Sequence, residues 1–162
     1  MPSQLNVDSI RPNTSGGAVT FPELPCASVG LSTGNTNDTT NPYTHVGVII
    51  FDEVFVNQGS VYDTSNGRFT APVNGIYELS PCLLQDDDGT VGHLDIRFRK
   101  NGTDINLGSN PYSSNDTLYH QVSYTRLFEL SANDYLQLKL HTGGIFITAN
   151  NYYNVVNFRL VG

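Results

Sequence analysis

The chain has no tryptophan, one methionine and two cysteines among its 162 residues, and Asp, Glu, Lys and Arg together make up only 14%. Each shortage excludes something. Glu, Lys and Met are scarce, and apolar residues nowhere recur at helical spacing over three turns, which excludes a helical bundle. Eight Lys and Arg against fifteen Asp and Glu leave a net charge of −7. A nucleic-acid partner is not expected on that ground, because binding phosphates takes a basic surface. Cys26 and Cys82 stand 56 positions apart with no CxxC or Cys/His grouping, so a zinc site is not expected. They are read as two reduced thiols, with one disulfide as the alternative. The N-terminal Met1-Pro2-Ser3-Gln4-Leu5-Asn6-Val7 has neither a basic start nor an apolar core segment, so neither a signal peptide nor a membrane contact is expected.

Chemistry is equally sparse. His45, His93, His120 and His141 are scattered, with no HExxH spacing and no serine in a GxSxG elbow. Asp86-Asp87-Asp88-Gly89 is the one carboxylate cluster; it lacks the alternate ligands and distant Glu of an EF-hand. It is read as a solvated acidic loop, with calcium binding as the alternative. Arg97 and Arg99 share one face of a strand beside Lys100, read as a solvated face rather than an anion patch. No catalytic residue, cofactor or metal ligand is expected, and the chain is not read as an enzyme.

What is present is Gly, Asn, Ser and Thr, with nine Tyr and eight Phe. Val54 and Val56 alternate with polar neighbours, as a half-buried strand does, and Asp63-Thr64-Ser65-Asn66-Gly67 reads as a turn. Pro72 and Asn74-Gly75 make a second turn before a longer strand from Ile76 to Leu84. Further strands are expected over Asp95–Lys100, before and after Asn133-Asp134, and over Val155–Val161. The class is all-β. Tyr112, Tyr119, Tyr124, Tyr135, Tyr152 and Tyr153 gather in the last third, some for the core and some for loops 110–119 and 149–154.

One spacing is specific. Five residues separate Phe51 from Asn57, four more lead to Tyr62, six to Phe69, five to Gly75 and one to Tyr77. This pattern resembles the signature of the C1q domain, and the Asp95–Gly102 hairpin and the Phe128–Leu140 block resemble later parts of that family. Leu79 and Pro81 stand where the family has aromatics, and Asn133 where it has glycine. Pro81 has no N–H to donate, which predicts a bulge or a sheet edge there. The resemblance covers roughly Tyr43 to Gly162. It implies a ten-stranded jelly-roll β-sandwich of the C1q/tumour-necrosis-factor type, assembled as a homotrimer. Tyr77, Leu79, Tyr124, Leu138 and Phe158 are the expected trimer-interface residues.

Residues 1–42 read differently. Leu5, Val7 and Ile10 form one apolar patch and Val19 and Phe21 another, followed by the linker-like tract from Ser32 to Pro42. The segments Asn6–Pro12 and Gly16–Phe21 resemble attachment segments of phage fibre and virion-decoration proteins, and no Gly-X-Y collagen repeat is present. The expectation is an arm over 1–42 and a head over 43–162. Leu5, Val7, Ile10, Val19 and Phe21 would dock the trimer on a phage capsid or other virion protein, after synthesis in the bacterial cytoplasm. The alternatives are a tail-fibre tip recognising a host-surface glycan and a cellular C1q-like recognition protein.

Overall fold

The computed structural model describes residues 24–33, 43–85, 94–106, 120–148 and 151–162. The five residues assigned to virion attachment, the Asp86-Asp87-Asp88 loop and loop 110–119 lie outside that set. The described strands are β1 (Cys26–Gly30), β2 (Gly47–Val48), β3 (Glu53–Gln58), β4 (Tyr62–Asp63), β5 (Arg68–Thr70), β6 (Gly75–Gln85), β7 (Asp95–Lys100), β8 (Thr103–Asn106), β9 (His120–Ser123), β10 (Arg126–Leu130), β11 (Tyr135–Thr142) and β12 (Val155–Leu160). One 3₁₀ turn, η1, spans Asn151–Tyr153.

They form two antiparallel sheets. Sheet A runs β10-β6-β12-β1-β3 with β9 also on β6; sheet B runs β4-β5-β11-β7-β8 with β2 also on β11. β6, β7 and β12 alternate a buried with a more exposed position, as does β11 apart from the buried Gln137, so each sheet turns one face to a shared core. This is the expected all-β jelly-roll sandwich. Twelve described strands stand where ten are expected; β2 and β4 are two-residue pieces, and the strand opposite β6 is split into β9 and β10.

That split comes from Pro81. Leu79 pairs with Arg126 and Cys82 with Ser123, so β9 and β10 lie along one line in a single register. Opposite the gap, the Pro81 carbonyl accepts from the Tyr124 N–H at 3.2 Å. The proline nitrogen on that side has nothing to donate, and the partner strand breaks there. The expected bulge or edge is absent: β6 is an interior strand, and its other side pairs unbroken with β12, Val156 facing Pro81.

The boundary at residue 42 also moves. β1 is an interior strand, paired with β12 on one side and β3 on the other, and Ala27, Val29 and Leu31 are buried in the core. The arm composition misleads there because β1 is short and isolated in sequence; its nearest partner, Glu53 opposite Gly30, is 23 positions away.

The signature residues turn out to be one packed unit. Phe69 and Phe158 stack in parallel across the sheets with centroids 4.9 Å apart; Tyr77 meets Phe69 edge-on and Tyr62 tilts against Phe158. The Asn57 amide clamps Tyr62, donating to its carbonyl and accepting from its N–H, each at 2.9 Å. The buried Tyr62 hydroxyl accepts from the Phe51 N–H at 3.1 Å, and Tyr77 donates to the Val73 carbonyl at 2.9 Å. Gly75 is required because a Cβ there would lie 2.8 Å from the Gly162 carbonyl oxygen and closer still to Leu160. At the β7–β8 hairpin, Asn101 and Gly102 both take positive φ, 51° and 81°, as a two-residue turn of matching twist needs.

Two substitutions test this packing. Phe158→Ala removes the ring stacked on Phe69 and is expected to cost about 3–5 kcal/mol in denaturant unfolding. Asn57→Ala strips both Tyr62 backbone groups of their partner and is expected to cost about 1–3 kcal/mol. A loss under half a kilocalorie in either variant contradicts the packing described.

Candidate functional site

The two outward sheet faces differ in chemistry. Outward positions of sheet B carry Asp63, Arg68, Asp95, Arg97, Arg99, Asp104 and Lys139. Arg97 and Lys139 are directly opposed by register, a like-charge pairing that costs stability unless bridged. Carboxylates do the bridging: Asp95 meets Arg97 at 3.1 Å, while Asp104 meets Arg99 and Lys139 at 2.7 Å each. The Arg97-Arg99-Lys100 group is therefore a compensated ionic network, with Lys100 3.2 Å from Asp134 at the turn. The hydrogen bond from Lys139 foremost, then the Lys139 and Arg99 charges, hold the Asp104 carboxyl below its usual value despite the opposing effect of burial. Arg68 lies over the Tyr135 ring at 4.2 Å.

Sheet A presents small and mostly uncharged side chains. Cys26, Ser28, Ser80 and Asn157 floor a shallow depression of about 400 Å³, with Val56 on one wall and the Glu78–Arg159 pair on another. That pair closes at 3.0 Å, and the Arg159 hydrogen bond foremost holds Glu78 below the ordinary carboxylate value. Across the sheet Leu127 is 58% exposed on β10, and Val54 and Val56 are exposed on the edge strand β3. The β1–β3 register shifts between Ser28 and Val29, which makes Phe55 a bulge residue. Its ring stacks on Tyr152 of η1 at 5.9 Å and 11°.

The expected trimer-interface residues are a correction. Tyr77, Leu79, Leu138 and Phe158 are at most 2% exposed within one chain, so they form the core between the sheets and have no surface to offer a sister copy. Tyr124 is partly buried against that core. Alternation places these residues inward, and burial within one chain assigns Tyr77, Leu79, Leu138 and Phe158 to the core between the sheets instead of a threefold axis. The opposite parity, Glu78, Ser80, Asn157 and Leu127, is the outward one.

Both cysteines also lie on this outward face, and both are free. Cys26 pairs with Arg159 and Cys82 with Val155, on opposite sides of β12. Four residues along a strand is roughly 13 Å, well past the reach of a disulfide of about 7 Å between Cα atoms. The alternative of one disulfide within the chain is thereby excluded. Among the described residues no three His, Cys, Asp or Glu side chains are grouped to hold a metal ion, and no described helix is long and apolar enough to cross a membrane.

The carboxyls of Asp104, Glu78, Asp134 and Asp63 are all held below their usual values in the fold. Such groups add stability above their unfolded value of about 4 and lose it as pH falls further. The melting temperature is expected to drop between about pH 5 and pH 3. Asp104→Asn should flatten that drop and lower neutral-pH stability by no more than about 1 kcal/mol. An unchanged pH slope in the variant removes Asp104 from the network.

Comparison with known proteins agrees with this architecture. The C1q domain profile matches residues 31–158. The globular domain of zebrafish complement 1qA superposes with a TM-score of 0.64 at 19% identity, covering 86% of this chain and 98% of that one. Murine APRIL at pH 5.0 superposes at 0.62 with 13% identity, covering 85% and 99%. Murine APRIL at pH 8.5 does so at 0.58 with 12% identity, again covering 85% and 99%. With most of its length matched by one domain profile and the signature residues in one packed cluster, the chain belongs to the C1q-domain family.

Proposed function

We propose that the protein is a non-enzymatic homotrimeric structural protein of a bacteriophage particle, a capsid decoration protein or short head fibre. C1q and tumour-necrosis-factor-like domains are generally non-enzymatic trimeric recognition modules. The trimer rests on one observation: the centre of the outward face of sheet A, around Cys26, Ser28, Ser80 and Asn157, is uncharged, with Glu78 and Arg159 paired at one wall and Glu129 and Glu53 on the edge strands, while that of sheet B is an ionic network. Interface centres are depleted of charged residues. The exposed valines of β3 and the exposed Leu127 of β10 lie at opposite edges of sheet A. A contact that joins unlike edges repeats from copy to copy, and with a rotation of a third of a turn it closes as a ring of three.

The virion assignment draws on the resemblance of Asn6–Pro12 and Gly16–Phe21 to phage attachment segments, and on where the chain enters the sandwich. Leu24 and Pro25 precede β1 at the pole that also holds the C-terminus: Leu160 donates to the Pro25 carbonyl at 3.1 Å, and Gly162 accepts from Ile76. An arm over residues 1–25 would leave from that pole and present the opposite one outward.

Light scattering of the full chain is expected to return three times the 17.7 kDa of one copy. Ser28→Arg, on the sheet A face, should yield a folded monomer; Thr70→Arg, on the sheet B face, should remain trimeric. A monomeric native chain, or dissociation by Thr70→Arg alone, overturns the trimer as proposed. Antibody to the head should decorate phage particles in electron micrographs of a lysate, and unlabelled particles would remove the virion role.

A further inference from the structure

We propose that Phe55 and Tyr152 form a stacking platform for the pyranose ring of an uncharged glycan, at the pole opposite the chain's entry. The inference rests on the proposed display of the head with its arm behind it. β3 begins and β1 ends at that pole, where Glu53 pairs with Gly30, and η1 lies there because it leads into β12. Tyr152 is 75% exposed and lies nearly parallel to Phe55. Tyr153 beside it is exposed as well.

Exposed aromatics are ordinary on loops that bend away, but this pair is held. The buried Asn154, one residue beyond η1, accepts from the Leu84 N–H at 2.8 Å and donates to the Phe146 carbonyl at 2.7 Å. Its own carbonyl accepts from Leu31 at 3.0 Å. Strand β6, the residue after β1 and the segment after β11 thus hold Asn154, at the end of the turn that carries Tyr152, while Phe55 is the extra residue of the bulge and its ring meets Tyr152. A flat π-face held in advance loses little conformational freedom on binding.

The chemistry narrows the occupant. An aromatic face is electron-rich and attracts C–H groups of slight positive charge, which one side of a pyranose presents. The exposed Glu53 carboxylate, two residues from Phe55, can accept from sugar hydroxyls. The cations of sheet A are remote from this pole: Arg126 pairs with Leu79 and Arg159 with Cys26. An anionic ligand therefore has no counter-charge on this sheet. Two rings offer far less than the roughly 800 Å² per partner of a stable protein contact, which favours a sugar over a protein.

Saturation-transfer NMR of the trimeric full chain against methyl glucopyranosides, methyl galactopyranosides, N-acetylglucosaminides and their β-linked oligomers tests this. Transfer to ring C–H protons of at least one sugar is expected, with affinity falling about tenfold in Tyr152→Ala and in Phe55→Ala but kept in Tyr152→Phe. Both alanine variants should keep the native trimer mass, so loss of sugar binding is separable from loss of assembly. A silent panel, or equal transfer in Tyr152→Ala, overturns the proposal. So does a variant that loses no sugar affinity but changes the trimer mass, since the platform would then be a contact between copies.

Discussion

The fold depends on the parallel stack of Phe69 on Phe158 between the sheets. Phe158 lies on β12, beside β1 and β6 in sheet A, and Phe69 on β5 in sheet B. One pair of rings therefore ties the last strand of the chain to a short strand near its middle. Tyr62 and Tyr77 close the cluster, and Asn57 imitates a strand partner on the side of Tyr62 away from β5. Burial of this aromatic volume, not hydrogen bonding, holds the sheets together, since interior packing is non-directional and scales with apolar area. The Asn57 clamp sets where the rings point.

Once the inward parity of each strand is committed to that core, the outward parity is free to vary, and the two sheets use it differently. Sheet B meets solvent with opposed charges that must be bridged, which explains why Asp104 serves two cations. Sheet A keeps Ser28, Ser80 and Asn157 small and uncharged, with its single cross-strand pair, Glu78–Arg159, at one wall of the depression. A face of that kind is cheap to remove from water, because few charges need desolvating.

Local rules were obeyed where the chain could satisfy them alone and bent where a partner strand decided. Pro81 kept its place in the interior of β6 because the missing donor could be absorbed by splitting the neighbour into β9 and β10. Asn133 accepts a positive φ of 73° where its family carries glycine, which asparagine tolerates better than most residues. Gly75 has the opposite origin: its small size is demanded by the C-terminal strand passing close by.

The class, the long strand over Gly75–Gln85, the Asn101-Gly102 turn and the signature cluster were all legible in the sequence. Period-two alternation and turn chemistry are local, and the signature spacing records residues that must meet. The strand β1 was not legible, because five residues in an arm-like context become a strand only through β12 and β3. Nor was the core placement of Tyr77, Leu79, Leu138 and Phe158: alternation turns them inward without saying whether that face meets the other sheet or a threefold axis. Tyr152 read as a loop tyrosine until the bulge at Phe55 brought a second ring beneath it. Sequence by itself determined the strands and their two faces; tertiary pairing decided which face became core and which surface remained, because burial belongs to the assembled sheets and not to any one strand.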